Sequence, residues 1–291
     1  MVNEYRFGQF YIHHSVDEDP RRYNLPMHIH EECEIYFFLS GDVEYKVEGT
    51  SYRLEPKSLL IMRPAESHMA RVGVSTSYER YALNFPLSFL HDEDPKGRLL
   101  EPFLNRPLGR YNLFTAEELD VEMVERLFAE MCEPDDDYNR QLTLSTHLFL
   151  LMDMIRRAAS KRQAEPMQPQ TLSETMVSYV NRNLFEELSI PMLAQHFFLS
   201  TSQFSRVFRQ ATGSAPWEYI IRKRLSAAGE QIHSGVPAQE ACFLCGFKDY
   251  SSFYRAFVKY RGCAPTSLTD VVEQPLRRRN DTTILHRGED R

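Results

Sequence analysis

Two arginines 49 residues apart stand in the same setting. Phe204-Ser-Arg206-Val-Phe208, followed by Gly213 and Pro216, recurs as Phe253-Tyr-Arg255-Ala-Phe257, followed by Gly262 and Pro265. Around each motif the apolar residues fall at i, i+3, i+4 and i+7, the spacing of one buried helix face, and they do so twice per copy. In the first copy they are Ile190, Leu193, Ala194 and Phe197, then Phe204, Val207, Phe208 and Ala211. In the second they are Ala238, Ala241, Cys242 and Cys245, then Phe253, Ala256, Phe257 and Tyr260. If those stripes face inward, Ser202, Ser205, Arg206 and Arg209 face outward together, as do Ser251, Tyr254 and Arg255. Arginine forks match guanine edges and phosphates, and Ser and Tyr hydroxyls donate to either, so each outward stripe is suited to a DNA major groove. The plainer alternative is that Arg206 and Arg255 tie their helices to neighbouring acids.

The other chemical signals are isolated. Cys242-x2-Cys245 has metal-ligand spacing but no second pair, and both cysteines fall on the apolar stripe, which favours burial over zinc. Arg277, Arg278 and Arg279 form a basic run in a polar stretch, suited at most to extra phosphate contacts. There is no Gly-rich phosphate loop and no Gly-x-Ser-x-Gly elbow.

The elements that must carry the arginine stripes can be read from stop and start residues. Ser189 and Ser200 can cap the first two helices, Pro237 and Asp249 stand at the starts of the second two, and Gly213 and Gly262 end the longer ones. Two helices joined by a tight turn, built twice, are two helix-turn-helix units. Residues 217–233 should form one connecting helix that sets the distance between the units, with Gly229 unexplained in its interior. Upstream, residues 5–89 read as short apolar strands punctuated by Gly41-Asp42 and Gly49-Thr50, the pattern of an antiparallel barrel or sandwich. From Thr115, with Glu118 in capping-box spacing, a helix is expected, then a second one carrying Leu148, Leu151, Met152 and Ile155. Leu142, Leu144 and Phe149 lie off that stripe, so this helix is expected to be covered twice, within the chain or by another subunit. The expected organisation is a barrel over residues 1–110, a helical pair over 111–160 as a candidate dimerisation element, a linker over 161–170, a helical domain over 171–270 and a flexible tail over 271–291. The fold class is α+β in two domains.

At 291 residues, 42% hydrophobic and 26% charged, the chain has the composition of an ordinary globular protein. The net charge of −7 is uneven: residues 1–160 carry 17 Lys and Arg against 28 Asp and Glu, and residues 161–291 carry 17 against 13. Only the second half tolerates a polyanion. No long apolar run or export signal appears and the five cysteines show no disulfide spacing, so a cytoplasmic protein with free thiols and no membrane partner is expected.

Residues 189–267 resemble the DNA-binding domain of the AraC/XylS family of bacterial transcription regulators, on the doubled helix-turn-helix with Gly246-Phe247 and Phe253-x-Arg255-x-Phe257. The resemblance implies that Ser202, Ser205 and Arg206 on one helix and Tyr250, Ser251, Tyr254 and Arg255 on the other contact bases and phosphates of an operator in double-stranded DNA. It also implies action as a homodimer, with RNA polymerase a candidate contact. Ala227 stands where the family often has a basic residue, and Thr266-Ser267-Leu268 departs from its usual closing turn.

The N-terminal half resembles the family's sensor, a cupin-like barrel. His28-x-His30-x3-Glu34-x6-Gly41 follows the first cupin motif and Pro64-x3-His68 follows the second. Strand alternation would put His28, His30, Glu34, Tyr36 and Phe38 on one face, toward the lumen. With His68 they form an expected effector site for a small organic molecule such as a sugar. His28, His30, Glu34 and His68 are also suitable ligands for a divalent metal, although no cofactor is required by the regulator reading. The alternative from another class is a metal-dependent cupin enzyme with a helical appendage.

Overall fold

The computed structural model describes residues 2–7, 10–19, 27–73, 77–90, 94–133, 135–162 and 170–268. The expected tail over 271–291 and most of the expected linker lie outside them.

Eight strands come first: β1 (Val2–Phe7), β2 (Phe10–Asp17), β3 (Cys33–Ser40), β4 (Val43–Val47), β5 (Thr50–Arg53), β6 (Ser58–Met62), β7 (His68–Val72) and β8 (Tyr78–Phe85). A short β9 (Leu113–Phe114) follows α1 (Glu101–Leu104). They pair antiparallel into a six-stranded sheet, β1-β2-β8-β3-β6-β9, and a three-stranded sheet, β5-β4-β7. Among the described residues these are two cupin-like sheets and not a closed barrel, because no ladder joins their edges. Strand β3 is buried on both sides, so it reads as a continuous apolar run. Its Ile35 and Phe37 join the core under the helices, and its Tyr36 and Phe38 join Tyr45, Leu60, Met62 and Tyr78 in the core between the sheets.

The first long helix, α2 (Val121–Cys132), starts five residues later than a cap at Thr115 suggests. Glu118 does accept from the Thr115 N–H (2.8 Å), but its carboxylate is also held by Arg162 (2.7 Å), and Asp120 caps the helix instead by accepting from the Met123 N–H. Helix α3 (Asp137–Lys161) buries Leu144, Leu148, Leu151, Met152 and Ile155 against α2 and the six-stranded sheet. Its other face leaves Tyr138, Leu142 and Leu150 exposed.

The C-terminal helices are α4 (Leu172–Arg182), α5 (Ile190–His196), α6 (Thr201–Thr212), α7 (Pro216–His233), α8 (Ala238–Leu244) and α9 (Tyr250–Arg261). Ser189, Ser200 and Asp249 cap α5, α6 and α9, and Gly213 and Gly262 end α6 and α9 in the left-handed region (φ 77° and 76°). The turns after α5 and α8 have the same bonding: Leu199 N–H to Ala194 O, and Phe247 N–H to Cys242 O. The left-handed position is Gly246 (φ 80°) in the second unit and Phe198 (φ 56°) in the first. A Cβ on Gly246 would lie 2.7 Å from the Phe185 carbonyl oxygen, so the turn and the segment before α5 pack backbone to backbone.

Candidate DNA-reading faces and ligand site

Phe204 and Phe208 on α6 and Phe253 and Phe257 on α9 are fully buried, which turns the opposite faces outward. Ser202, Arg206 and Arg209 are exposed and Ser205 is half-buried; Ser251, Tyr254 and Arg255 are exposed and Tyr250 is half-buried. Arg206 makes no ion pair among the described residues, and Arg255 donates only to Ser252 of its own helix (3.3 Å). Asp249, the cap of α9, feels the charge of Arg255, but neither arginine forms an ion pair among the described residues that would tie its helix to an acid. Cys242 and Cys245 are buried in the second unit's core, where burial pushes each thiol up to about 11.

Helix α7 fixes the two units to each other. Arg224, almost fully buried, donates from Nε to Leu184 O (2.8 Å), from one terminal nitrogen to Glu186 O (2.7 Å) and from the other to Gly246 O (2.6 Å). One guanidinium thus joins the segment before α5 to the turn before α9. The interior glycine of α7 also has a reason. A Cβ on Gly229 would lie 2.5 Å from Glu31 Oε1 and 2.8 Å from an Arg261 nitrogen, so a side chain there would push into the ion pair that these two residues form across the helix.

In the N-terminal half, His28, His30, Glu34 and His68 place one ligand atom each within 4.8 Å of all the others. They do not share one strand face as alternation suggests. Only Glu34, Tyr36 and Phe38 lie on β3. The chain bends at residues 31–32, and His28 instead pairs with β7, exchanging both backbone hydrogen bonds with His68 (3.0 and 3.1 Å). His30 donates from Nδ1 to the Glu32 carbonyl (2.9 Å) and His68 from Nδ1 to the Glu66 carbonyl (2.8 Å), which turns each Nε2 toward Glu34, at 2.8 and 3.4 Å. His68 Nε2 is buried without a hydrogen-bond partner. Burial would raise the Glu34 carboxyl, yet its contacts with His30 and His68 outweigh this and hold it well below the usual carboxylate range. Tyr36 stands apart from this group, hydrogen-bonded to Tyr78 in the aromatic filling between the sheets.

Sequence reasoning missed the residues that support His68. Glu66, buried, accepts from Arg106 on both oxygens (2.8 and 2.5 Å), from the Gly109 N–H (2.9 Å) and from Asn112 (3.1 Å). It also missed Glu48, which accepts from the Ser67 N–H (2.7 Å), Lys223 (2.7 Å), Asn181 (3.0 Å) and the Tyr219 hydroxyl. No sequence signal marks either cluster, because their members are ordinary residues scattered along the chain.

A sheet domain with a convergent polar site, joined to two helix-turn-helix units with outward arginines, defines a ligand-binding DNA-binding regulator. The comparisons agree. Residues 15–152 match the AraC-like ligand binding domain and residues 193–270 match a helix-turn-helix domain. The chain belongs to the AraC family of transcription regulators. It is similar to the probable transcriptional regulator LumQ of Photobacterium leiognathi, 26% identical over 240 residues that make up 82% of this chain and 90% of that one. It is also similar to the HTH-type transcriptional activator RhaS of Escherichia coli, 21% identical over 263 residues, 87% and 91% of the two chains. Among solved structures, the AraC-like transcriptional activator CuxR matches more loosely, with a TM-score of 0.40 and 13% identity over 84% of each chain. No helix among the described residues is long and apolar enough to cross a membrane.

Proposed function

We propose that the outward faces of α6 and α9 read one DNA duplex together, and that His28, His30, Glu34 and His68 hold a small effector. Ser202, Ser205, Arg206 and Arg209 would meet bases and phosphates in one major-groove segment, and Tyr250, Ser251, Tyr254 and Arg255 in the next. The observation that carries this is the equivalent placement of Arg206 and Arg255, both exposed and neither in an ion pair among the described residues. An arginine bidentate to a guanine contributes about 1–3 kcal/mol of discrimination. At fixed salt, Arg206→Ala and Arg255→Ala should each lose that much operator binding by fluorescence anisotropy while circular dichroism stays unchanged; undiminished binding in both would remove the reading faces.

For the effector, the donor set favours a divalent cation. Imidazoles whose Nδ1–H is fixed by a carbonyl present Nε2 as a ligand, and such partners commonly orient metal-binding histidines. Ligand atoms on one tetrahedral ion with bonds of about 2.0–2.1 Å stand about 3.4 Å apart, so the widest pair of the present set, within 4.8 Å, needs to close by up to about 1.4 Å. A sugar would use the same donors as hydrogen-bond partners, but here they converge on one another, and the space between the sheets is filled by Tyr36, Phe38, Tyr45 and Tyr78. Isothermal titration with zinc tests this: one site per chain, lost in His30→Ala, is expected, and no binding would remove the cation. The exposed stripe Tyr138, Leu142 and Leu150 on α3 supports homodimerisation. Leu142→Glu with Leu150→Glu should then shift the chain to monomer in sedimentation, whereas an unchanged mass would contradict it.

A further inference from the structure

The turn between α5 and α6 holds a side chain that nothing inside the chain explains. Phe198 is 97% exposed, more than any other large apolar residue among the described ones, and its backbone lies in the left-handed region (φ 56°). The same position in the second unit is Gly246, which takes this conformation freely and needs to, because a Cβ there would run into the Phe185 backbone. The first unit carries an aromatic ring instead, at a cost in strain and in exposed apolar surface. Such an outlier points to a contact outside the chain.

The backbone that carries the ring is held on both sides. Phe197 and Leu199 pack on the core of the first unit, the Phe198 N–H donates to Gln195 O (3.0 Å) and the Leu199 N–H to Ala194 O (2.9 Å). Directly after it, Ser200 Oγ accepts from the Gln203 N–H (3.3 Å) while the Gln203 side chain accepts from the Ser200 N–H (3.0 Å), so the first turn of α6 is closed on itself. Four residues separate Phe198 from Ser202, at most about 14 Å of chain, and a major groove is about 12 Å wide. With Ser202 and Arg206 in the groove, the ring stands at its rim. Residues 188–217 contain no Asp or Glu, and the two arginines of that stretch, Arg206 and Arg209, are exposed on α6, so the surface around the ring suits a polyanion.

We infer that Phe198 is a specificity residue for DNA, its ring packing on the 5-methyl group of a thymine at the edge of the segment that α6 reads. This rests on the reading face of α6 proposed above. The thymine methyl is the apolar group on a major-groove edge, and phenylalanine is among the side chains that meet it. The contact adds a preference for thymine beyond the positions that Ser202, Ser205 and Arg206 reach. It neutralises no phosphate and releases no counterion, so it leaves the salt dependence of binding alone. Gly246 has no ring to offer at the equivalent place beside α9.

The test uses the full chain and a duplex operator taken from selection of genomic fragments. Each thymine in turn is replaced by deoxyuridine, which removes only the methyl group, and binding of the parent, Phe198→Gly and Phe198→Asn is followed by fluorescence anisotropy at fixed salt. Both replacements tolerate a left-handed residue, and circular dichroism confirms the fold. In the part of the operator whose preference Arg206→Ala relaxes, one thymine should cost the parent about 4-fold in affinity on replacement, the size expected for one apolar carbon withdrawn from a contact. Both variants should bind the natural duplex more weakly by at least that factor, with no further loss at that thymine and with an unchanged salt slope. Variants that bind as tightly as the parent, or that lose the same factor as the parent at every thymine, would overturn the contact and leave the α6 face standing. Variants whose only change is a lower mass of the free chain in sedimentation would put the ring on a second copy and overturn it equally. Operator binding indifferent to Arg206→Ala would remove the reading face of α6 and this contact with it.

Discussion

Replacing Arg224 with methionine should cost the DNA-binding half much of its stability. Methionine keeps the aliphatic stem but removes three donors from the carbonyls of Leu184, Glu186 and Gly246. Each hydrogen bond from a charged group contributes about 1.5–3 kcal/mol, so a simple sum runs to about 5–9 kcal/mol. Part of that is returned, because a guanidinium with little exposure no longer has to be stripped of water; burial already pulls its pKa below the ordinary arginine range. What stays behind is three neutral carbonyls and no stranded charge, each costing about 1–3 kcal/mol when left unsatisfied, so a net loss of about 3–5 kcal/mol is expected. A domain of this size has a total of about 5–15 kcal/mol. A loss of 1 kcal/mol shifts the melting temperature of a small domain by about 4–8 °C, so the melting of the helical half, followed by calorimetry, should fall by at least about 12 °C. Arg224→Lys should fall between the two, since a point charge cannot satisfy three carbonyls at fork spacing. A shift below about 4 °C in Arg224→Met, with operator binding intact, would refute the view that this side chain locks the two units together.

Phe198 is 97% exposed at φ 56°, where a side chain gains no contact and incurs left-handed strain. Phe198→Gly should therefore stabilise the helical half by about 0.5–1 kcal/mol in urea unfolding, after the extra chain entropy of glycine is counted; a loss would show that the ring has a contact of its own. For Glu66, burial raises the carboxyl, but the Arg106 hydrogen bonds and charge and the Gly109 and Arg63 N–H groups prevail and hold it below its ordinary 4.5. The unfolded chain then takes up a proton at higher pH than the folded one, so this group's stabilisation is complete above about pH 4.5 and drains away as the pH falls below it. Glu66→Gln should flatten that acid slope in thermal melts and, at neutral pH, destabilise the sheet domain by about 3–5 kcal/mol by stranding buried Arg106; an unchanged slope would contradict the assignment.

The helical half was legible in the sequence because its code is local. Phe204, Phe208, Phe253 and Phe257 mark the buried stripes, Ser200 and Asp249 the starts, Gly213 and Gly262 the ends, and all act within one helix. The sheet half was legible in kind but not in closure. Strand β3 is covered on both faces, so its alternation is hidden, and nothing in its residues says where the chain bends before it. That bend at Glu31 and Glu32 is why His28 and His30 reach Glu34 from a neighbouring segment and not along one strand. Thr115 and Glu118 have the spacing of a helix start, yet Arg162, far along the chain, takes the Glu118 carboxylate and Asp120 takes over the cap. Gly229 makes sense only once Glu31 and Arg261 are seen to meet over it. Glu48 and Lys223 stand 175 residues apart, and neither residue type hints at burial.

The most direct test of two arginine-bearing faces reading one duplex is selection of genomic fragments by the purified chain, with and without zinc, followed by sequencing, for the parent, Arg206→Ala and Arg255→Ala. The account predicts a motif of two parts with centres about one helical turn, or 10 base pairs, apart, with each substitution relaxing preference in a different part. A motif left unchanged by both substitutions, or no enrichment of any sequence under either condition, would contradict it.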